Sequence, residues 1–166
     1  MSEKSQLFSQ FIKHVGFWNF KDLYNFCYEW LKDENYIVSE EDYTEKITDR
    51  GKEIIIKWTA WRKISDYFKF NIKMDWHILG MQDVEVERNG KKEKTNKGEI
   101  KITFKPTLER DYENKWETSP MYKFFRGIYD RYIVRTTMDE YEDRLIEKTV
   151  SLMEQVKAFL ALEVKR

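Results

Sequence analysis

Residues 54–78 read IIIKWTAWRKISDYFKFNIKMDWHI, and this stretch decides the fold. Apolar residues recur there at every second position, and the same pattern returns over residues 100–104. Because successive side chains of a β-strand point to opposite faces, the even-numbered residues are predicted to line one face of a sheet. The odd-numbered positions are mostly polar and basic, which is typical of an antiparallel sheet with one solvated face. The apolar positions are Ile54, Ile56, Trp58, Phe68, Phe70, Ile72, Met74, Trp76, Ile78, Ile100, Ile102 and Phe104.

Length and charge place this sheet inside one domain. The chain has 166 residues, which is enough to bury a core, and its formal net charge is zero. Counting Lys and Arg against Asp and Glu gives a net charge of −5 over residues 1–49 and +6 over residues 50–106. A neutral chain is not held to nucleic acid by its overall field. We therefore expect a basic sheet region, with any attraction to anions confined to it.

The N-terminal segment is predicted to form two helices. Over residues 4–15 the apolar side chains fall on one helical stripe, which Gly16 would end. Asn19 is a suitable N-cap for a second helix, because its side-chain oxygen can accept a bond from a first-turn N–H group. The first stripe consists of Leu7, Phe8, Phe11, Ile12 and Val15.

Turn residues divide the middle of the chain into about five strands in meander order. Matching parities predict a hairpin that pairs Ile47 with Lys52. The parities also indicate a bulge or a break within residues 39–42, and an odd-length turn or a bulge around residues 65–67. Asn89-Gly90 is typical of a type I′ hairpin turn. Gly80 is predicted to separate the third strand from the fourth, residues 91–97 to form a hairpin tip, and Gly98 to open the fifth strand.

The C-terminal third is predicted to be helical from Ser119-Pro120 onward, with a kink or break at residues 135–137. The sequence thus predicts an α+β domain over residues 1–166, with residues 1–35 helical, residues 36–110 an antiparallel sheet and residues 116–164 helical. A long helix, or a broken helix pair, would pack across the apolar face of the sheet. This order of elements is similar to that of helix-grip, lipid-transfer-type domains, although a fold alone does not give a function.

The polar face of the sheet is the first candidate site. Lysines around an exposed aromatic ring suit a single-stranded nucleic acid, and the same charges suit an acidic protein. An ordinary solvated face is the alternative, since lysine is common there and opposes aggregation. We therefore predict a non-enzymatic binding or adaptor module that holds an acidic protein or nucleic-acid partner on this face. The candidate residues are Lys57, Trp61, Lys63, Lys69, Lys73, His77, Lys101 and Lys105.

The apolar face offers a second candidate. Aromatic residues make up 16% of the chain, and a curved sheet under a long helix can enclose a cavity for a small apolar, lipid-like ligand. A packed core is the plainer interpretation of the same residues. The predicted cavity lining is Trp58, Phe70, Trp76, Phe104, Phe125 and Tyr129.

Motifs for catalysis, metals and cofactors are absent from the sequence. Cys27 is the single cysteine, so neither a disulfide within the chain nor a cysteine-based zinc site is possible. His14 and His77 have no partner at ligand spacing, and no glycine-rich phosphate loop is present. We expect no enzyme activity, no cofactor and no metal. Without a signal segment or a long apolar run, we expect a cytoplasmic protein that is not an integral membrane protein, and its oligomeric state stays open.

Overall fold

A six-stranded antiparallel sheet and three helices account for the residues that the computed structural model describes, namely 3–113, 120–128 and 134–165. The elements follow one another as β1 (Glu3–Gln6), β2 (Gln10–Trp18), α1 (Phe20–Asp33), β3 (Ile37–Thr48), β4 (Gly51–Lys63), β5 (Phe68–Arg88), β6 (Lys91–Arg110), α2 (Pro120–Ile128) and α3 (Val134–Lys165). The predicted α+β class is confirmed.

The sheet follows the order β1-β6-β5-β4-β3, and β2 also pairs with β6. Strands β3 to β6 therefore form the predicted meander, while β1 and β2 share the edge beyond β6. The even-numbered side chains of β4 and β6, and of β5 as far as Ile78, lie on the core face, which the helices cover. Past the register shift in β5, the odd-numbered Met81 is buried on the core face instead. The opposite face, with the odd-numbered side chains of β4, of β6 and of β5 as far as His77, is called the outer face below.

The predicted helix over residues 4–15 is wrong, because this segment forms β1 and β2. Ile12 lies opposite Ile102 of β6 and is buried, whereas Phe11 and Val15 are exposed. Burial thus alternates along the segment, although the apolar residues also fit a helical stripe. The length of β6 explains the outcome, since its 20 residues offer both β1 and β2 a strand to pair with.

The predicted separation of two strands at Gly80 is also wrong. β5 runs for 21 residues through Gly80, which has φ +62°, and the register shifts between Leu79 and Gln82. Residues 91–97, expected to form a hairpin tip, belong to β6, and Gly98 lies within that strand. A Cβ atom at Gly98 would come within 3.1 Å of the Gly80 carbonyl oxygen, so both glycines serve a bulge.

The predicted hairpin registers are confirmed. Ile47 pairs with Lys52, and the register of β3 shifts between Glu40 and Asp42, within the expected bulge. Lys63 pairs with Lys69, which leaves a loop with an odd number of residues between them. Asn89 and Gly90 have φ values of 53° and 77°, as a type I′ turn requires.

Two helices cover the core face. Asn19 caps α1 as predicted, because its Oδ1 accepts a hydrogen bond from the Asp22 backbone N–H at 3.0 Å. The buried side of α1 consists of Leu23, Cys27 and Leu31. The long helix α3 packs against β2, β6 and α1, which confirms the predicted C-terminal helix across the sheet. Of the kink or break predicted at residues 135–137, the break is wrong, because these residues lie inside α3.

Candidate functional site

The structure brings all eight predicted outer-face residues onto three adjacent strands. Parity along β4, β5 and β6 places every one of these side chains on the face opposite α1 and α3, as the alternation predicts. Strand β4 supplies three of them, β5 three and β6 two: Lys57, Trp61 and Lys63; Lys69, Lys73 and His77; Lys101 and Lys105.

Lysines lie directly opposite one another on this face. Lys63 pairs in register with Lys69, and Lys73 with Lys105. Lys101 faces Lys13 of β2 on its other side. Favourable cross-strand pairs contribute roughly 0.2–1 kcal/mol each, whereas like charges directly opposite each other destabilise a sheet. The outer face thus concentrates positive charge at a cost to stability.

Neighbouring carboxylates neutralise part of this charge. The Lys105 ammonium lies 3.0 Å from Asp75, Lys13 lies 2.9 Å from Glu99, and the His77 ring lies 3.1 Å from Glu53.

Glu109 is a buried carboxylate on the outer face. It accepts a hydrogen bond from the Asn71 Nδ2 at 3.0 Å, and the Lys69 ammonium lies 3.9 Å away. A buried carboxylate needs such donors, because an unpartnered one is costly to desolvate. Lys69 therefore serves the structure as well as the outer face.

Three of the lysines rest on aromatic rings. The Lys69 ammonium lies 4.6 Å from the Trp61 ring centre, Lys101 lies 4.4 Å from Phe11, and Lys63 lies 5.6 Å from Tyr112. Such contacts stabilise a cation without neutralising it. Because Trp61 is half-buried and covered by Lys69, its ring is not bare for base stacking.

Lys57 and Lys73 differ from the other lysines of the site. Neither forms an ion pair or a ring contact with any residue that the structure describes. Lys57 also borders a shallow depression of about 270 Å³ on the outer face, together with Asp75, His77 and Lys101. This depression has two lysines and a histidine around its rim, and its one carboxylate is already paired with Lys105.

The predicted cavity residues on the core face pack against protein. Trp58, Phe70, Trp76 and Phe104 are all buried. The Trp58 and Trp76 ring centres lie 5.2 Å apart, and the Phe70 ring lies 6.1 Å from that of Tyr141 in α3. The remaining two residues of that prediction differ: Phe125 in α2 is 48% exposed, and Tyr129 lies outside the described residues.

Glu40 anchors the aromatic residues between α1 and the sheet. Its Oε1 accepts hydrogen bonds from the Tyr24 hydroxyl at 2.9 Å and from the Trp58 Nε1 at 3.3 Å. Burial, followed by the bond to Glu40, raises the pKa of Tyr24 to about 12. The Tyr24 and Trp58 ring centres lie 4.9 Å apart.

A larger cleft of about 640 Å³ opens at the N-terminal end of α1, away from both predicted sites. Charges of both signs border it, including Glu45, Lys52, Asp83 and Lys94. Lys52 and Glu45 neutralise each other at 3.1 Å. The cleft therefore presents no single charge to a ligand.

Groups that could carry chemistry are scarce in residues 3–113, 120–128 and 134–165. No cluster of three His, Cys, Asp or Glu side chains is placed there to hold a metal ion. Cys27 is buried, and burial raises the pKa of its thiol far above the usual range. No helix within those ranges is both long and apolar enough to cross a membrane.

Sequence reasoning missed several residues of the outer face. The sequence predicts a helix for Phe11 and Lys13, whereas both lie beside Lys101 on β2. The alternation places Asn71 on the polar face, but its hydrogen bond to Glu109 could not be predicted, because it joins residues 38 positions apart. The same alternation, continued past Pro106, would also place Glu109 on that face.

Comparison with known proteins adds no family to this description. No family model matches the chain, and no curated protein matches it significantly.

Proposed function

We propose that this protein is a non-enzymatic binding or adaptor module that holds an anionic macromolecule, an acidic protein segment or a nucleic acid, on the outer face of its sheet. The observation that carries the proposal is the set of lysine–lysine pairs across strands, Lys63 with Lys69 and Lys73 with Lys105. Such pairs disfavour the free protein, and a bound polyanion would relieve their repulsion.

An acidic protein segment fits this face better than a nucleic acid does. Carboxylates lie between the lysines, for example Asp75 and Glu99, and they would repel a continuous phosphate backbone. Separate Glu or Asp side chains could instead meet Lys57 and Lys73, which lack carboxylate partners among the described residues. The depression beside Lys57, about 270 Å³ in volume, has room for such a side chain.

The competing hypothesis is a carrier of a small apolar ligand on the core face. Trp58 and Trp76 pack on each other and on Tyr24, with ring centres 4.9–6.1 Å apart. Rings that fill the space between the helix and the sheet support a packed core there. This is why the outer face is preferred as the site.

Fluorescence anisotropy with two labelled probes tests the proposal. One probe is oligo-glutamate, and the other is a single-stranded oligo-dT of equal charge. We expect oligo-glutamate to bind more tightly, with an affinity that falls as salt rises. Tighter binding of oligo-dT would assign a nucleic acid to the same face, and no binding of either probe at low salt would contradict the proposal.

Paired variants locate the site. Lys57→Gln with Lys73→Gln removes two cations that form no ion pair with a described residue, so the protein should still fold while affinity falls roughly tenfold. Lys21→Gln with Lys32→Gln removes the same charge from exposed positions of α1, on the other side of the sheet. An equal loss of affinity in both double variants would show that the probe is attracted by net charge alone.

A further inference from the structure

The two edges of the sheet are protected to different degrees. Edge strand β3 carries four carboxylates, Glu40, Glu41, Asp42 and Glu45, and its register shifts at a bulge between Glu40 and Asp42. Charges and bulges of this kind keep an edge strand from pairing with another chain. Edge strand β2 has one lysine, Lys13, no carboxylate and no register shift over its nine residues.

Hydrogen bonds on both sides of β6 show which backbone groups of β2 are open. The Pro106 carbonyl accepts from the Leu7 N–H at 2.9 Å, and the Asp111 N–H donates to the Tyr67 carbonyl at 2.8 Å. The backbone N–H and C=O groups of even-numbered β6 residues therefore point toward β1 and β2. Those of odd-numbered β6 residues point toward β5. Even-numbered residues of β2 pair with even-numbered residues of β6, so their backbone groups bond to β6. The backbone N–H and C=O groups of the odd-numbered β2 residues therefore point to the open edge.

Those open positions are Phe11, Lys13, Val15 and Phe17. Among the described residues, no other backbone segment bonds to their N–H and C=O groups. The His14 ring lies 3.2 Å from the Phe17 carbonyl oxygen, which keeps a second lone pair for another donor.

The side chains at these four positions lie on the outer face, and three of them are apolar. Phe11 is 57% exposed, Val15 69% and Phe17 38%. The fourth side chain, Lys13, is neutralised by Glu99 at 2.9 Å. The helix α3 leaves this face of β2 open, because it packs on the core face, where Ile12 and Trp18 are buried.

We propose that β2 pairs antiparallel with β2 of a second copy of this chain, about a two-fold axis at His14. In this register Phe11 lies opposite Phe17 of the second copy, and Lys13 lies opposite Val15. These are the residues with open backbone groups, so the register also satisfies the alternation of an antiparallel ladder. An aromatic pair on each side of the axis adds to the pairing.

Dimerisation would join the outer faces of two copies into one continuous face. The two sets of lysines would then lie side by side, and a long acidic segment could contact both. The inference stands on the edge strand alone and does not require the proposed function.

Sedimentation of the full chain across a wide concentration range tests the dimer. We expect a reversible dimer, weakened at least about tenfold by Val15→Lys, which places like charges opposite each other. Ile47→Lys is the matched control, since Ile47 is 86% exposed on β3 and should tolerate the change with no loss of dimer. Adding Lys13→Glu to Val15→Lys should restore the dimer through opposite charges.

A cross-link tests the register independently of affinity. The two His14 residues would form a non-hydrogen-bonded pair, whose Cα separation of about 4.5 Å suits a disulfide. His14→Cys should therefore give a covalent dimer under mild oxidation, while Lys46→Cys on β3 should not. A monomer at every concentration, a dimer that Val15→Lys leaves intact, or equal cross-linking of both cysteine variants would overturn the proposal.

Discussion

Lys73 lies directly opposite Lys105 on neighbouring strands, and of the two only Lys105 has a carboxylate partner among the described residues, Asp75 at 3.0 Å. The pair places an uncompensated cation in the middle of the outer face. Such a position is unfavourable in the free protein and favourable when an anion is bound.

Removing this cation should therefore stabilise the protein. We expect Lys73→Thr to raise the free energy of unfolding by about 0.5 kcal/mol at low salt, with the gain shrinking as salt screens the repulsion. Lys57→Thr is the control, because Lys57 lies opposite Asp75 rather than another lysine, so its loss relieves no cross-strand repulsion. Urea unfolding at two salt concentrations measures both changes, and a destabilised Lys73→Thr variant would contradict the argument.

Replacing the two buried tryptophans of the core face by Phe should reduce the free energy of unfolding by different amounts. The Trp58 Nε1 donates to Glu40 at 3.3 Å, whereas the Trp76 Nε1 is buried with no partner among the described residues. Trp58→Phe should therefore cost about 1 kcal/mol more than Trp76→Phe, since only the first loses a hydrogen bond. Thermal and urea unfolding of the two variants give the comparison, and equal costs would argue against a role for this bond.

The stability of the protein should fall at alkaline pH. The pKa of Tyr24 is raised to about 12 in the folded protein, above the ordinary value near 10. Between these values the unfolded chain has lost the proton that the folded protein keeps, so the free energy of unfolding decreases as pH rises through this window. Tyr24→Phe should flatten the dependence measured by urea unfolding between pH 9 and about 12. An unchanged slope would remove Tyr24 as its source.

Cys27 should be inert while the protein is folded. Its thiol is buried between α1 and the core, and burial raises its pKa, so the reactive thiolate is scarce. We expect an aromatic disulfide reagent at pH 8 to react at the rate of unfolding and to react at once in denaturant. Rapid labelling of the folded protein would show that this thiol is accessible.

The parts predictable from the sequence are those in which one residue pattern fits one structure. The alternation from Ile54 to Ile78 fixed parity and face, because a shift by one residue would have exposed every apolar side chain. The eight outer-face residues could be grouped for the same reason. The N-cap at Asn19 was predictable because capping is local.

The remainder depended on contacts between distant segments. Phe11, Ile12 and Val15 fit a helical stripe and a strand equally well, and the choice was made by the length of β6. Gly80 and Gly98 resemble strand ends in isolation, yet they meet at one bulge. Because the residue pattern over β2 also predicts a helix, the sequence does not predict the open edge of the sheet.

Cross-linking of the complex tests the central claim most directly. A carbodiimide joins a lysine to a carboxylate that it contacts, and mass spectrometry identifies the lysine. With oligo-glutamate as the probe, we predict cross-links at Lys57 and Lys73, and at the neighbouring Lys63 and Lys101. Cross-links mainly at lysines of α1 or of the cleft, such as Lys21 and Lys94, would contradict the assignment of the outer face as the binding site.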